Sequence, residues 1–442
     1  MTKQEIRNRW MKYAEEHKDL LEGRVKENIE KYRKGNCKLR FCDKDGNPLA
    51  GKKVKINQTS HDFKYGANIF MLDEFENEEY NIRYREEFKK YFNLATVPFY
   101  WDGLEPEEGK PRYGKDSPKV YRRPAPDLCV EYCNESGVLP KLHCLVYDKF
   151  IPKWLPLDDM EAMEKLYEKR FAEISERYAG KMYEIEVINE LCCEWEWKFK
   201  SAVSSKRDII EWAFGLAKKY FKDDVLVINE ANPIKAIAER GYRNSYFMML
   251  DAALKGGVQI DKIGLQHHAF TGANTSTDEE YEKALRDVNP AHFNPKAILD
   301  ALDKFAELGK PLEITEITVP TFGDTEEDEI LQADLLDFIY SCFFGHPAVE
   351  NVVYWNVPEG YAHVTQIPGR VWNENRCRGG LFHHDMTPKK SSERMYKMFN
   401  KRWHTDLELT TDENGYVEFR GFFGDYKAEV NGKVTEFSIH KK

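Results

Sequence analysis

Eight short β-rich runs, each followed by a helix-like stretch, fill the middle of this chain and leave few folds open to it. They are FKYGANIF from Phe63, LATVPFYW from Leu94, KLHCLVY from Lys141, YEIEVINE from Tyr183, VLVINEA from Val225, IGLQHHA from Ile263, LEITEIT from Leu312 and VVYWNV from Val352. Apolar runs alternating with amphipathic helices predict parallel strands joined by right-handed crossovers, and eight such units match a closed (β/α)8 barrel. An open doubly wound sheet is the alternative, but no G-x-G-x-x-G phosphate turn supports it. The length of 442 residues exceeds one small domain, yet a barrel absorbs most of it.

The remainder lies at the two ends. Ile6, Trp10, Tyr13, Leu20, Val25, Ile29 and Tyr32 stand among dense charges, with Gly35 placed to stop a helix. Residues 1–35 therefore read as an amphipathic docking helix. CKLRFCDKDGNPLAGKKVKINQT alternates around Asp45-Gly46 and predicts a β-hairpin over 36–60, while 404–442 alternates around Asn414-Gly415 and Asn431-Gly432. The two ends are expected to meet as a small β-sandwich beside a catalytic barrel spanning 61–403.

A net charge of −10 lacks the basic surplus that phosphate neutralisation requires, so nucleic acid is not an expected partner. No run reaches the roughly 18 apolar residues of a membrane span, so no membrane is expected either. The start, MTKQEIRNRW, has no signal-peptide core, and nine cysteines without zinc-type spacing fit a reducing cytoplasm. No metal or other cofactor is expected. The pairs His267-His268 and His383-His384 invite a metal, but adjacent histidines on a strand face opposite ways and cannot easily share an ion.

Several strands run apolar and then finish polar: His143 and Tyr147, Asn189-Glu190, Asn229-Glu230, Gln266 with His267 and His268, Glu316, and Trp355-Asn356. In a barrel those C-terminal strand ends converge on one mouth. Carboxylates, imidazoles, amides and aromatic rings together suit a carbohydrate: rings stack on pyranose C–H faces, amides bond hydroxyls, and two carboxylates cleave the glycosidic bond. Glu230, which also ends an apolar run, competes with Glu190. A metal-assisted hydrolase or lyase would need a third acidic group at the mouth, for which Glu313 and Glu359 are the candidates. A glycan-binding barrel without turnover is the remaining alternative.

The pieces HCLVY, VINE, IGLQHH, PLEITE and GLFHHDMTPKK, in that order, resemble glycoside hydrolase family 10, the endo-β-1,4-xylanases, from about His61 to Trp403. The segment FNLATVPFYWDGLEPEEGKPRY resembles that family's second strand and loop. The resemblance implies a retaining mechanism with Glu190 as acid/base, Glu316 as nucleophile, and Asn189 bonding a sugar 2-hydroxyl. It implies that Gln266 and His268 orient the nucleophile, that His143 and Tyr147 contact sugar, and that Trp355 is an aromatic platform. Tyr100 and Trp101 are expected to line or support the same cleft, while Trp195 and Trp197 read equally as a stacking rim of it or as core packing. The sequence departs from the family where a Glu-Asn pair and a Lys usually hold xylose: Thr96, Val97 and Tyr100 stand there. Tyr147 and Asp148 replace a usual Trp and His, and Thr318 replaces the Asp that usually pairs with the histidine. Arg370, Trp372 and Arg376 are candidates for replacement contacts. These changes point to a rebuilt glycone pocket, for a short oligosaccharide or a small aryl or terpenoid glycoside.

Overall fold

A computed structural model of the protein describes residues 1–193, 201–287, 289–367 and 370–441. Trp195 and Trp197 lie outside the described residues, as does the side chain of Arg370. All eight runs enter one closed parallel barrel: β1 (Lys64–Asn68), β2 (Leu94–Pro98), β3 (Leu139–His143), β4 (Glu184–Asn189), β5 (Leu226–Glu230), β6 (Lys262–His268), β7 (Leu312–Thr318) and β8 (Val349–Tyr354), with β8 closing on β1. Helices pack outside, most burying one stripe, whereas Glu326–Gly345 is buried on nearly all sides over its second half. In Met160–Tyr178 the stripe is Met163, Tyr167, Phe171, Ile174 and Tyr178, behind an Asp159 cap whose side chain accepts the Ala162 N–H. Among the described residues no helix is long and apolar enough to cross a membrane.

The barrel interior is filled in polar tiers instead of the usual branched apolar layers. At the N-terminal end Lys141 bonds Glu184 at 2.9 Å and, across the interior, Glu313 at 2.6 Å; Lys262 lies 3.1 Å from each of the same two carboxylates. Two buried cations thereby neutralise two buried anions, the arrangement that makes buried charge tolerable. Glu313 is thus spent in this network and lies far down the strand from the mouth. Above it sit His143, Glu186, Asn229 and Thr315. Gly264 is required at this level, because a Cβ would lie 2.7 Å from Asn229 Oδ1 and 2.8 Å from Thr315 Cγ2.

The chain ends meet, and the hairpin expected over 36–60 is confined to a short ladder beside its turn, where Cys42 bridges Pro48. Lys34–Arg40 pairs with Tyr416–Phe422, whereas Lys53–Gln58 runs between Asp406–Thr410 and Gly424–Val430 in a four-stranded sheet completed by Lys433–Ile439. The Asp45-Gly46 turn forms, held by the Asp43 carboxylate. Its flanks then diverge, because each finds a longer partner near the C-terminus. Val54, Ile56, Val417, Tyr426 and Ala428 form the apolar core between the two sheets. The N-terminal helix Lys3–Glu16 docks by Trp10 against Phe293 and Phe322, with Arg7 on Asp334 at 2.6 Å. Gly35 does not stop it. The helical path ends at Tyr32, and Gly35 lies in a strand where a Cβ would meet Ile439 at 2.7 Å.

His61 joins barrel and sandwich: buried, it bonds the Trp403 carbonyl at 3.1 Å and accepts the Phe63 N–H. Burial lowers its pKa to about 3, and that of His267 to about 4. Between those values and the unfolded pKa near 6.5 the unfolded chain binds more protons, so stability is intact above pH 6.5 and lost as pH falls toward 4. Each such histidine contributes up to about 1.4 kcal/mol per pH unit in that window. Urea midpoints are expected to fall from pH 7 to pH 5, and less steeply in His61→Gln; equal slopes would contradict this.

Candidate active site

Two β-bulges build the mouth. Between Glu186 and Ile188, β4 carries one residue more than β5, and between Ile314 and Ile317 β7 carries one more than β8; the same extra residue separates Glu313 and Glu316 against β6. A bulge breaks strict alternation and re-aims a side chain. Thr315 and Glu316, adjacent in sequence, consequently both turn inward, Thr315 onto Asn229 and Glu316 onto Gln266. At the end of β4, Glu190 takes a left-handed conformation with φ 55°, which lets Asn189 and Glu190 face the cleft together. Left-handed backbone in a non-glycine residue costs energy and gathers at functional sites.

The two glutamates are held by one amide. Gln266 Nε2 donates to Glu190 Oε1 at 3.0 Å and to Glu316 Oε1 at 2.9 Å. Those oxygens therefore lie under about 6 Å apart, short of the ~6.5–9.5 Å separation that leaves room for a water between two carboxyl groups. Glu316 is buried and also accepts Asn229 Nδ2 at 3.1 Å and faces His268 Nε2 at 3.1 Å. Burial raises the Glu316 carboxyl well above the usual range; Glu190 and Glu186 push the same way and His143 opposes them. Half-buried Glu190 accepts the Tyr147 hydroxyl on its other oxygen.

The surrounding cleft has a volume of about 390 Å³. Asn189, Tyr147, Tyr100, Trp355, Gln266 and His268 all line it, together with the two glutamates. His143 and Trp101 do not. Buried His143 sits one level down, its Nδ1 2.8 Å from Glu186 and its Nε2 2.8 Å from the Tyr100 hydroxyl, so it positions Tyr100 rather than touching a ligand. Cys144 completes a possible three-atom metal cluster with His143 and Glu186, but both imidazole nitrogens are already engaged. Trp101 turns outward against Tyr167, bonding Glu105 at 3.0 Å. Glu230 is consumed by the backbone: it accepts the Cys192 and Ala231 N–H groups at 2.7 and 2.8 Å, outside the cleft, and burial raises its pKa to about 7. Trp372 lines the cleft, whereas Arg376 turns away to Thr277 and Asp278.

Several lining residues escaped the sequence reading. Phe70 belongs to the first β-rich run, 5.1 Å from Trp355. Arg122 and Arg123 come from the long loop after β2, where YRRPAP offers paired arginines as the signal. Glu374 bonds Asn356, which in turn accepts from Arg122 at 3.0 Å.

Paired carboxylates in an aromatic-walled cleft at the C-terminal mouth of a parallel barrel supply what glycoside cleavage needs, and the protein falls in the class of (β/α)8 glycoside hydrolases. A family model described as glycosyl hydrolase family 10 matches residues 57–397, and the chain belongs to that family. It is 24% identical over 415 residues to endo-1,4-beta-xylanase 2 of Arabidopsis thaliana, covering 92% of this chain and 34% of that one. It is 23% identical over 418 residues to anti-sigma-I factor RsgI6 of Acetivibrio thermocellus, covering 91% and 46%. The chain thus spans about a third to a half of these relatives' length. Xylanase 10B of Thermotoga petrophila, solved in complex with xylobiose, shares the fold at a TM-score of 0.58 and 20% identity, over 77% of this chain and 95% of that one.

Thr318 takes over the histidine. Its hydroxyl lies 2.8 Å from His268 Nδ1, and burial holds His268 neutral with a pKa of about 4. A neutral ring that donates from Nε2 to Glu316 must accept at Nδ1, which the hydroxyl satisfies. Thr318→Asp is expected to raise the His268 pKa well above 4, read from its NMR titration; an unchanged midpoint would contradict this arrangement.

Proposed function

We propose that this protein is a retaining β-glycoside hydrolase, with Glu316 as nucleophile and Glu190 as acid/base. The single observation that carries the reading is the Gln266 amide shared by both carboxylates, which keeps them within the short spacing that direct attack on the anomeric carbon needs, about 5–5.5 Å. In this reading a Glu316 oxygen forms a bond to the anomeric carbon while the bond to the leaving oxygen breaks and Glu190 gives that oxygen its proton. Water then attacks the glycosyl-enzyme, Glu190 takes the water's proton, and Glu316 is released. Donors from Asn229, Gln266 and His268 orient Glu316, and the Tyr147 hydroxyl orients Glu190.

Asn189 is assigned to a ring hydroxyl, and Trp355 and Tyr100 to sugar faces and edges. Thr96, Val97 and Tyr100, standing where family members clamp xylose, favour a short oligosaccharide or small glycoside over long xylan. Nine cysteines, with no disulfide among the described residues, fit work in a reducing compartment. The same rebuilt pocket is what favours the second reading, glycan binding without turnover.

With 4-nitrophenyl β-glycosides and xylo-oligosaccharides, Glu190→Ala is expected to lower turnover about 10²–10⁴-fold. Azide is expected to rescue it as the β-glycosyl azide, and to rescue Glu316→Ala as the α-glycosyl azide. Full activity in either variant would reject the assignment, and an inert wild type that still binds sugar would support the second reading.

A further inference from the structure

Arg123 is a cation placed in the cleft with no direct ion pair among the described residues, Asp102 being the carboxylate whose charge acts on it from a distance. Its guanidinium lies 4.1 Å above the Tyr100 ring and within 5.2 Å of Phe150 and 5.4 Å of Phe70. Its one hydrogen bond runs from Nη1 to the Arg122 carbonyl at 2.9 Å, and no described residue forms an ion pair with it. Arg122 beside it is buried and committed to Asn356, and Lys149 lines the same wall. Arg122 is balanced by Glu374 through Asn356. Asp102 acts on Arg123 only through space, and among the described residues no carboxylate bonds its guanidinium directly, so its N–H groups facing the cleft stay available.

We propose that Arg123 is the recognition group for a carboxylate carried by the sugar, so that the substrate contains a hexuronic acid; this rests on the glycosidase reading. The aromatic cradle of Tyr100, Phe150 and Phe70 fixes the plane of the guanidinium and leaves its remaining N–H groups for a carboxylate, which a planar fork matches with two parallel bonds. Tyr100 is itself fixed by His143, so the cation stands on a rigid support that also faces the reacting pair. The carboxylate belongs either to the ring whose bond is cleaved or to a neighbouring or branching ring.

The test compares acid and neutral partners that differ only at that group. Calorimetry measures binding of D-glucuronate and D-glucose. Turnover is followed with 4-nitrophenyl β-D-glucuronide against the β-D-glucoside, and with a glucuronic-acid-branched xylo-oligosaccharide against the unbranched one. Wild type is expected to prefer the acid member about 10- to 100-fold, as a hydrogen-bonded ion pair provides. Preference in the simple glycosides places the acid on the cleaved ring, and preference confined to the oligosaccharides places it beside that ring. The ratio is expected to fall to near one in Arg123→Gln and to survive in part in Arg123→Lys, each checked for a native thermal transition; wild-type ratios alone decide if both variants misfold. Neutral glycosides cleaved as well as or better than acid ones would overturn the anion site and leave the glycosidase reading standing. Selective glucuronate binding with no glycoside cleaved would sustain the site and overturn the glycosidase reading.

Discussion

The mouth of this barrel depends on one side-chain amide, that of Gln266, lying between two carboxylates. Like charges so close would repel, and burial of Glu316 adds to the cost. A donor that bonds both at once offsets part of that cost and fixes their separation. Gln266 can occupy this place because the residues around it are spoken for. Asn229 bonds Asn189 and Glu316, His268 bonds Glu316 and Thr318, and His143 bonds Glu186 and Tyr100.

These bonds continue downward as a polar column. The Lys141–Glu184–Lys262–Glu313 square closes the far end, the middle tier joins Glu186 to His143 and Asn229, and the mouth carries the exposed chemistry. Polar groups in an interior hold one another rigid when they are bonded, and the middle tier supplies partners to the mouth, Asn229 to Glu316 and His143 to Tyr100. The cost is met at local defects: bulges in β4 and β7, a left-handed Glu190, and a glycine at 264 where any side chain would displace Asn229.

The barrel was legible because each strand is a short apolar run separated from the next by a helical stretch, a pattern that survives without knowledge of register. The site was legible where chemistry falls at a strand end, as with Glu190, Gln266, His268 and Glu316. It was illegible where register decides. Nothing in LEITEIT announces the extra residue that turns both Thr315 and Glu316 inward, and nothing in VPFYW says that Tyr100 faces the cleft while Trp101 faces a helix. Loop residues such as Arg122, Arg123 and Phe150 reach the cleft by tertiary path alone. Strand pairing at the chain ends was legible as alternation but not as partnership, since Lys34–Arg40 and Lys53–Gln58 look like one hairpin until the C-terminal strands are placed.

The spacing set by Gln266 is tested most directly by the anomeric configuration of the sugar first released from a β-glycoside, followed by proton NMR before mutarotation. The β-anomer appearing first is the expected result, since carboxylates this close leave no room for a water on the nucleophile side. The α-anomer appearing first would contradict it, and would mean that the two glutamates stand further apart in the working enzyme than one shared amide allows.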